Sequence, residues 1–138
     1  MANVLARQIL EEGPRNAVVK LTGVLTNSDM SETPAIKLAD FGNNDAQAGT
    51  LVGLRVDAVI YSMGLGIDLL LAWNGASPQQ IMPLAGRGKI DATGDGGMLP
   101  NMLLSGYDGS INLYSTGYVP GTTQNFTVLL RLVKLYKW

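Results

Sequence analysis

The sequence predicts an all-β protein folded as an antiparallel β-sandwich, most specifically a jelly roll of about eight strands with a short N-terminal arm or helix. Apolar and polar residues alternate with a period of two in several segments, as they do in strands with one buried face. Clusters of Gly, Pro, Asn and Asp separate these segments at intervals of about 8–15 residues. An immunoglobulin-like sandwich would have the same layers, but its Cys…Trp…Cys signature is absent.

We expect one domain spanning residues 1–138, with an N-terminal arm at 1–14 and a jelly-roll body at 15–138. The arm has a weak helical stripe of apolar residues, and Gly13-Pro14 ends whatever structure forms there. We predict a short helix or an extended arm that packs on a neighbouring molecule, with a frayed terminus as the alternative. The apolar residues of this stripe are Val4, Leu5, Ile9 and Leu10.

The body is predicted to be built of strands and turns in sequence. The predicted extended segments are 17–25, 35–41, 50–61, 67–73, 79–83, 99–104, 110–118 and 125–138. Alternation in 50–61 assigns five apolar residues to one face, namely Val52, Leu54, Val56, Ala58 and Ile60. Asn74-Gly75 predicts a tight hairpin turn, Pro83 predicts an edge strand or a bulge, and the glycine-rich segments on either side of Ile90 predict loops.

The C-terminal segment 125–138 is predicted to be a long strand that is apolar on both faces. Phe126, Val128 and Leu130 share one face, whereas Leu129, Val133 and Leu135 share the other. A chain of 14.7 kDa has little material with which to cover both sides. The excess apolar surface therefore predicts contact with a partner molecule.

Charge and composition argue against binding to nucleic acid or to a membrane surface. The chain has 10 basic and 11 acidic residues, and the charged fraction is 15%, against a usual value of about 25%. We find neither a basic excess nor a run of basic residues in the sequence, which both kinds of binding would need. The most apolar internal run, 63–73, is too short to span a bilayer. Arg7, Glu11 and Glu12 interrupt the N-terminal segment, so we also expect no signal peptide and a non-secreted product.

The absence of His and Cys predicts a protein that is not an enzyme and has no metal or cofactor. These residues supply the commonest general base, the commonest metal ligands and the thiol nucleophile. The segment 86–90 lacks the first Gly and the Ser or Thr of a phosphate loop, and 91–97 lacks the closing Glu of a calcium loop. A hydrolase using Asp57 and Asp68 is the catalytic alternative, although a salt bridge or an exposed position accounts for both residues.

Aromatic residues leave a second alternative open, a carbohydrate-binding β-sandwich in a phage fibre or an adhesin. Trp73 falls on the apolar face of its strand and is predicted to lie in the core, whereas Trp138 is predicted to be an interface anchor. The residues that could form a sugar-stacking platform are Trp73, Tyr107, Tyr114, Tyr118 and Trp138.

Three segments of the chain resemble the small capsid cement, or decoration, proteins of short-tailed bacteriophages. The first is MANVLARQILEEGPRNAVVKLTGVL, the second is AIKLADF, and the third is DGSINLYSTGYVPGTTQNFTVLLRLVKLY. The resemblance implies a jelly-roll or related sandwich that self-associates and clamps neighbouring major capsid protein subunits on the outside of the expanded head. It also implies a virion protein on the capsid exterior, made in the bacterial host cytoplasm, without cofactor or catalysis.

On this hypothesis the contacts with the capsid and with other copies come from both ends of the chain. A two-fold dimer is favoured, because an exposed sheet edge can pair with its own copy, and a trimer is the alternative. The predicted contact residues are Val4, Leu5, Ile9, Leu10, Arg131, Val133, Leu135 and Trp138.

Overall fold

The computed structural model describes residues 3–41, 49–64, 66–103 and 105–137, with the side chain of Asp95 excepted, and these residues form nine β-strands. Two short 3-10 helices, Leu38–Asp40 and Thr93–Asp95, lie between strands. No helix among the described residues is long and apolar enough to cross a bilayer. The strands are β1 (Val4–Glu12), β2 (Asn16–Leu25), β3 (Thr33–Ile36), β4 (Thr50–Met63), β5 (Asp68–Trp73), β6 (Gln79–Ala85), β7 (Arg87–Asp91), β8 (Ile111–Thr116) and β9 (Gln124–Lys137).

The strands form two antiparallel sheets, which confirms the predicted all-β sandwich. One sheet has five strands in the order β1-β2-β9-β4-β7, and the other has four in the order β3-β8-β5-β6. The two inner faces share one apolar core, to which Leu21, Leu54 and Leu130 contribute from the first sheet, and Leu71 and Leu113 from the second. All five of these side chains are fully buried, so the core lies between the sheets.

Strand β9, which is as long as β4, lies at the centre of the five-stranded sheet. It pairs with β2 from Asn16↔Val133 to Leu25↔Gln124, and with β4 from Thr50↔Lys137 to Met63↔Phe126. Its even-numbered side chains from Phe126 to Lys134 are buried, which is the period of two that a strand with one covered face requires. The prediction of a long C-terminal strand is therefore correct for the described residues.

The N-terminal segment is neither a helix nor a separate arm. Residues Val4–Glu12 form β1, which pairs with β2 from Val4↔Val24 to Glu12↔Ala17. A β-bulge between Ile9 and Glu11 shifts the register near its end. The backbone N–H and C=O groups of β1 form hydrogen bonds with one edge of β2. The stabilisation from these bonds is larger than a weak helical stripe of apolar residues could supply. The division into an arm and a body is thus replaced by a strand of the sheet itself.

Four further predictions differ from the structure. Segment 35–41 is not one strand, since β3 ends at Ile36 and a 3-10 helix follows. Segment 99–104 was expected to be extended but forms no strand among its described residues. The glycine-rich segment before Ile90 was expected to be a loop, yet it begins strand β7. The turn at Asn74-Gly75 is part of a five-residue loop, 74–78, between β5 and β6.

Pro83 lies on β6, the outermost strand of the four-stranded sheet, as predicted for an edge. Proline has no backbone N–H to donate to a neighbour, so a strand that pairs on one side only is where it is tolerated. Pro83 is the partner of Leu70 in the pairing of β5 with β6.

Candidate functional site

The outward face of the five-stranded sheet has two adjacent rows of side chains that cross four strands. One row runs Lys20, Leu129, Ile60 and Lys89, which are successive partners on β2, β9, β4 and β7. Directly paired residues project to the same face of a sheet, so these side chains lie side by side. The second row contains Val18, Arg131, Ala58 and Asp91 in the same strand order.

These rows enclose a shallow apolar depression on the surface. Its volume is about 40 Å³, and six residues line it: Val18, Ala58, Ile60, Lys89, Leu129 and Arg131. Ile60 is 44% exposed, although an isoleucine in a strand is usually buried. We call these six residues together with Lys20 the outer patch. No described residue covers Ile60, so an apolar surface with basic residues around it faces outward.

Basic residues are concentrated on this sheet. Eight of the 10 basic residues lie on its five strands, and none lies on the four strands of the other sheet. Three of the eight form ion pairs: Arg7 with Asp40, Arg55 with Asp57, and Lys134 with Glu12. The other five are Lys20, Arg87, Lys89, Arg131 and Lys137. The strands of this sheet also carry four acidic residues, Glu11, Glu12, Asp57 and Asp91, so their net charge is +4, whereas the strands of the other sheet carry only Asp68 and have a net charge of −1.

Asp91 is the acidic residue that adjoins the outer patch on β7. Its carboxylate accepts a hydrogen bond from the backbone N–H of Thr93 at 2.9 Å. Hydrogen bonds from Thr93, and to a smaller extent the charges of Lys89 and Arg131, hold the pKa of Asp91 below its ordinary value. Asp91 is therefore ionised at neutral pH and offsets part of the positive charge at one corner of the patch.

A second exposed apolar surface lies at the end of the sandwich where β4 begins and β9 ends. We call residues 99–103 the apolar loop, because Leu99 is 60%, Met102 38% and Leu103 95% exposed. Two hydrogen bonds fix this loop to β6: Gln79 Nε2 donates to the Asn101 carbonyl at 3.0 Å, and Asn101 N–H donates to Gln79 Oε1 at 2.7 Å. The exposed side chains are thus presented by a segment that is held in place.

The apolar loop borders a cleft of about 570 Å³. The hydroxyl group of Tyr107 donates a hydrogen bond to the Val52 carbonyl at 3.1 Å in this cleft. Burial, and then the nearby charge of Asp108, raises the pKa of Tyr107, so this hydroxyl stays protonated and remains a donor. The residues lining the cleft are Leu38, Leu51, Val52, Met102, Leu103, Tyr107, Asp108 and Lys137.

Of the residues predicted to contact the capsid or another copy, only some lie close together in the structure. Arg131 is exposed on the outward face of β9, and Val133 and Leu135 are half-buried on the same face. Val4 is 57% exposed, but its strand partner is Val24, at the opposite end of the sheet from Val133. Trp138 lies outside the described residues.

The other predicted contact residues are on β1. Leu5 is partly buried and packs against the core, and its contact with a partner stays a prediction. Ile9 is 37% and Leu10 48% exposed, beside the bulge of this edge strand. The prediction of an apolar N-terminal contact therefore retains Val4, Ile9 and Leu10 as surface residues.

Sequence reasoning missed Lys20, Ile60, Lys89 and Leu103. Ile60 was expected to share a face with Leu54 and Val56, but a bulge between Val56 and Ala58 reverses the alternation. Leu54 and Val56 consequently face the core, whereas Ile60 faces outward. Asp57 lies at the point of reversal, but Arg55 is also polar in the same run, so a polar residue does not by itself reveal the bulge.

The two residues of the catalytic alternative lie in different sheets, and Trp73 of the sugar-binding alternative lies in the core. Asp57 is paired with Arg55 at 2.7 Å on β4, whereas Asp68 begins β5 in the other sheet. Trp73 is 4% exposed, and its indole N–H donates to the Leu54 carbonyl at 3.3 Å, as predicted for a core residue. Within the described ranges, no group of three His, Cys, Asp or Glu side chains is placed to hold a metal ion.

A polar cleft of about 390 Å³ lies beside β8 of the four-stranded sheet. Asn112 is 4% exposed, and its Nδ2 donates to Asn74 Oδ1 at 3.1 Å. The carboxylate of Asp108 accepts a hydrogen bond from the Ser110 N–H at 2.9 Å. The residues lining the cleft are Glu32, Pro34, Lys37, Asn74, Asp108, Ser110 and Asn112.

No relative of known function helps to interpret these surfaces. Comparison of the chain with protein-family models, with curated proteins and with solved structures finds no match in any of the three.

Proposed function

We propose that this protein is a structural virion protein that binds the outer surface of a bacteriophage capsid and cements neighbouring major capsid protein subunits. In this role it stabilises the head against the internal pressure of DNA. It acts by binding, without catalysis and without a cofactor. A protein that bridges two subunits adds binding free energy at their joint, and many copies multiply that effect over the shell.

The observation that carries this proposal is the uncovered outward face of the five-stranded sheet. Apolar side chains that remain exposed after folding are a mark of surfaces that bind other proteins, particularly when polar residues surround them. The outer patch has this arrangement, with Ile60 and Leu129 between Lys20 and Lys89. The apolar loop supplies a second exposed surface, which a protein that connects two neighbours would need.

We also infer that the sandwich is a jelly roll, as the resemblance to cement proteins implies. The supporting feature is the set of pairings β2 with β9, β3 with β8, β4 with β7, and β5 with β6. These are the pairings of one long hairpin whose two arms are folded together into two sheets. Strand β1 adds a fifth strand at the edge of the first sheet.

The proposal is tested by sedimentation of native source material followed by mass spectrometry of the heavy, particle-sized fraction. We expect this chain there in many copies beside a major shell protein. Purified chain should also rebind to particles from which it has been removed, and should raise the temperature at which they release DNA. Recovery of the chain only as a small soluble oligomer, with no rebinding, would contradict the cement role.

A carbohydrate-binding module is the second candidate, and the polar cleft favours it. Amide and carboxylate groups from Asn74, Asp108 and Asn112 converge there, and such groups bind sugar hydroxyls in proteins. Tyr114 projects from the same face of β8 as Asn112 and could stack on a sugar ring. A glycan array decides this candidate: specific binding that Asn74→Ala abolishes would support it, and an empty array would exclude it.

A further inference from the structure

We propose that the outer patch binds an acidic surface of the partner protein, with an apolar side chain of that partner in the central depression. This inference rests on the proposed function and specifies which face of the molecule meets the capsid. The partner surface is defined by its chemistry: carboxylates on both sides of an exposed apolar residue.

The first argument is charge complementarity. Lys20 and Lys89 stand at the two ends of one row, and Arg131 lies in the adjacent row between Val18 and Ala58. Among the described residues, none of these three side chains has an ion-pair partner within 4.0 Å. Cations on an open face attract carboxylates of a partner and repel other cations, which selects both the partner and its orientation.

The second argument is the spacing of the charges. Lys20 and Lys89 are on β2 and β7, which are separated by β9 and β4 in the sheet. Neighbouring strands lie about 4.8 Å apart, so the two strands are roughly 14 Å apart. The matching carboxylates of the partner should therefore be separated by a similar distance, with the apolar side chain between them.

The third argument distinguishes a protein partner from a nucleic acid. The centre of the patch is aliphatic, with Ile60 and Leu129 at the positions where a single-stranded nucleic acid would need aromatic stacking. An aliphatic centre with separated cations suits a folded protein surface, whose apolar and acidic residues alternate over similar distances.

The test uses particles stripped of this chain, the unaltered full-length protein and three variants of it. In the double variant Lys20→Glu/Lys89→Glu, repulsion replaces attraction, and we expect affinity for the particles to fall at least about tenfold at low salt. Ile60→Thr keeps a β-branched residue in the strand and should weaken binding several-fold. Lys37→Glu, outside the patch, is the matched control and should bind within about twofold of the unaltered chain. Binding of the unaltered chain should also weaken as salt is raised.

The outcomes for the proposed function and for this inference are separable. If the unaltered chain does not rebind particles, the cement role fails, and a second probe decides the patch. That probe is a synthetic hexapeptide with two central leucines between pairs of glutamates, titrated against the isotope-labelled chain by NMR. Amide shifts confined to β2, β4, β7 and β9, and lost in the double variant, would support the inference.

Three results would overturn the inference. The first is particle binding by the double variant that equals binding by Lys37→Glu, and the second is peptide-induced shifts that are absent or that map to the four-stranded sheet. The third is a nucleic-acid partner, detected as particle binding that nuclease abolishes or as tighter binding to a 20-base-pair DNA duplex than to the particle.

Discussion

The buried ammonium group of Lys134 ties the first strand of the protein to the last. Its side chain is 0% exposed, and its Nζ lies 2.7 Å from Oε2 of Glu12 at the end of β1. The ring of Phe41 lies 5.8 Å away, so the cation also has an aromatic neighbour. The sequence shows Lys134 only as a polar residue among apolar ones, because its ion-pair partner is more than 100 residues away.

Removal of the Glu12 charge should destabilise the fold. We expect Glu12→Gln to lower the free energy of unfolding by about 3 kcal/mol, because it removes a carboxylate that pairs with a buried cation. Chemical denaturation measures this change, and Glu11→Gln, at the exposed neighbouring position, is the control with an expected effect below about 0.5 kcal/mol. Equal stability of the two variants would show that the ion pair contributes nothing.

Gly23 is required because the ring of Phe126 occupies the space above it. A Cβ atom at Gly23 would lie 2.0 Å from Cζ of Phe126, a side chain that is 2% exposed. We expect Gly23→Ala to cost about 1–3 kcal/mol, the usual range for overpacking in a core. Gly94→Ala is the control, since no atom lies within 4 Å of a Cβ there. Thermal unfolding of both variants tests this prediction, which fails if they unfold at the same temperature.

Among the strands, position in the sheet determines how firmly each one is held. Strand β9 pairs on both sides, whereas β1 pairs only with β2 and carries a bulge. A bulge, charged residues and a short free edge limit the tendency of an edge strand to pair with other chains. Exposed Ile9 and Leu10 on β1 therefore lie on an edge where pairing with another copy is partly opposed by Glu11 and Glu12.

The rates of amide hydrogen exchange should be lower in β9 than in β1. We expect the amides of β9 between Val128 and Leu132 to exchange at the rate of global unfolding, because they are paired with β2 or β4 and lie over the core. Amides of β1 should exchange at least about tenfold faster through local opening of the edge. Uniform protection of β1 and β9 in a native-state experiment would show that the edge strand opens only with the whole sheet.

The apolar loop should contribute to binding and not to folding. Leu103 is 95% exposed, so we expect Leu103→Ser to change the free energy of unfolding by less than about 0.5 kcal/mol. The same variant should bind stripped particles several-fold more weakly, because it removes an apolar contact. Val119→Ser is the matched control, at a residue 55% exposed in the loop between β8 and β9. Equal loss in both variants would indicate a general effect of reduced hydrophobicity.

The fold class could be predicted from the sequence, but the face of each residue could not. The alternation in β2, β5 and β9 was sufficient to identify strands, since each keeps one covered face over most of its length. In β4, the bulge between Val56 and Ala58 shifts the register, so that Leu54 and Ile60 face opposite sides despite their even spacing. Bulges depend on pairing with distant strands, and a period of two read locally cannot reveal them.

The candidate site was even harder to predict from the sequence than the face on which each residue lies. Lys20, Lys89 and Arg131 are separated by 42 residues or more, and only the strand order β2-β9-β4-β7 makes them neighbours. A composition with slightly more acidic than basic residues gave no indication of a basic face. The common face of Arg131, Val133 and Leu135 was easier to predict, because they occupy every second position of one regular strand. Their contact with a partner stays a prediction.

The molecule as a whole has no side chain whose ordinary pKa lies near neutrality, because it contains neither His nor Cys. Its Asp and Glu side chains change their charge at lower pH. Burial alone would raise the pKa of Asp108, but hydrogen bonds from Ser110 and Asn74 outweigh it and hold the pKa below the ordinary value of 3.8. A group with a depressed pKa in the folded state stabilises the fold above its ordinary pKa, and this contribution is lost as the pH falls below it.

We therefore expect stability to be constant within about 0.5 kcal/mol between pH 5 and 8, and to fall below about pH 4. Denaturation at a series of pH values measures this profile. Asp108→Asn keeps an acceptor for the Ser110 N–H but cannot titrate, so its profile should fall less steeply in acid. A transition between pH 5.5 and 7 would contradict the prediction, as would an unchanged acid slope in the variant.

The pairing of β2 with β9 also governs when the protein can first fold during its synthesis. Strands β2 and β4 share no pairing with each other, and each needs β9 as its neighbour. A nascent chain that has emerged from the ribosome only as far as β8 lacks the centre of its larger sheet, together with Leu129 and Arg131 of the outer patch. Chains that terminate early should therefore be degraded as unfolded polypeptide, and only complete copies would be able to occupy sites on a particle.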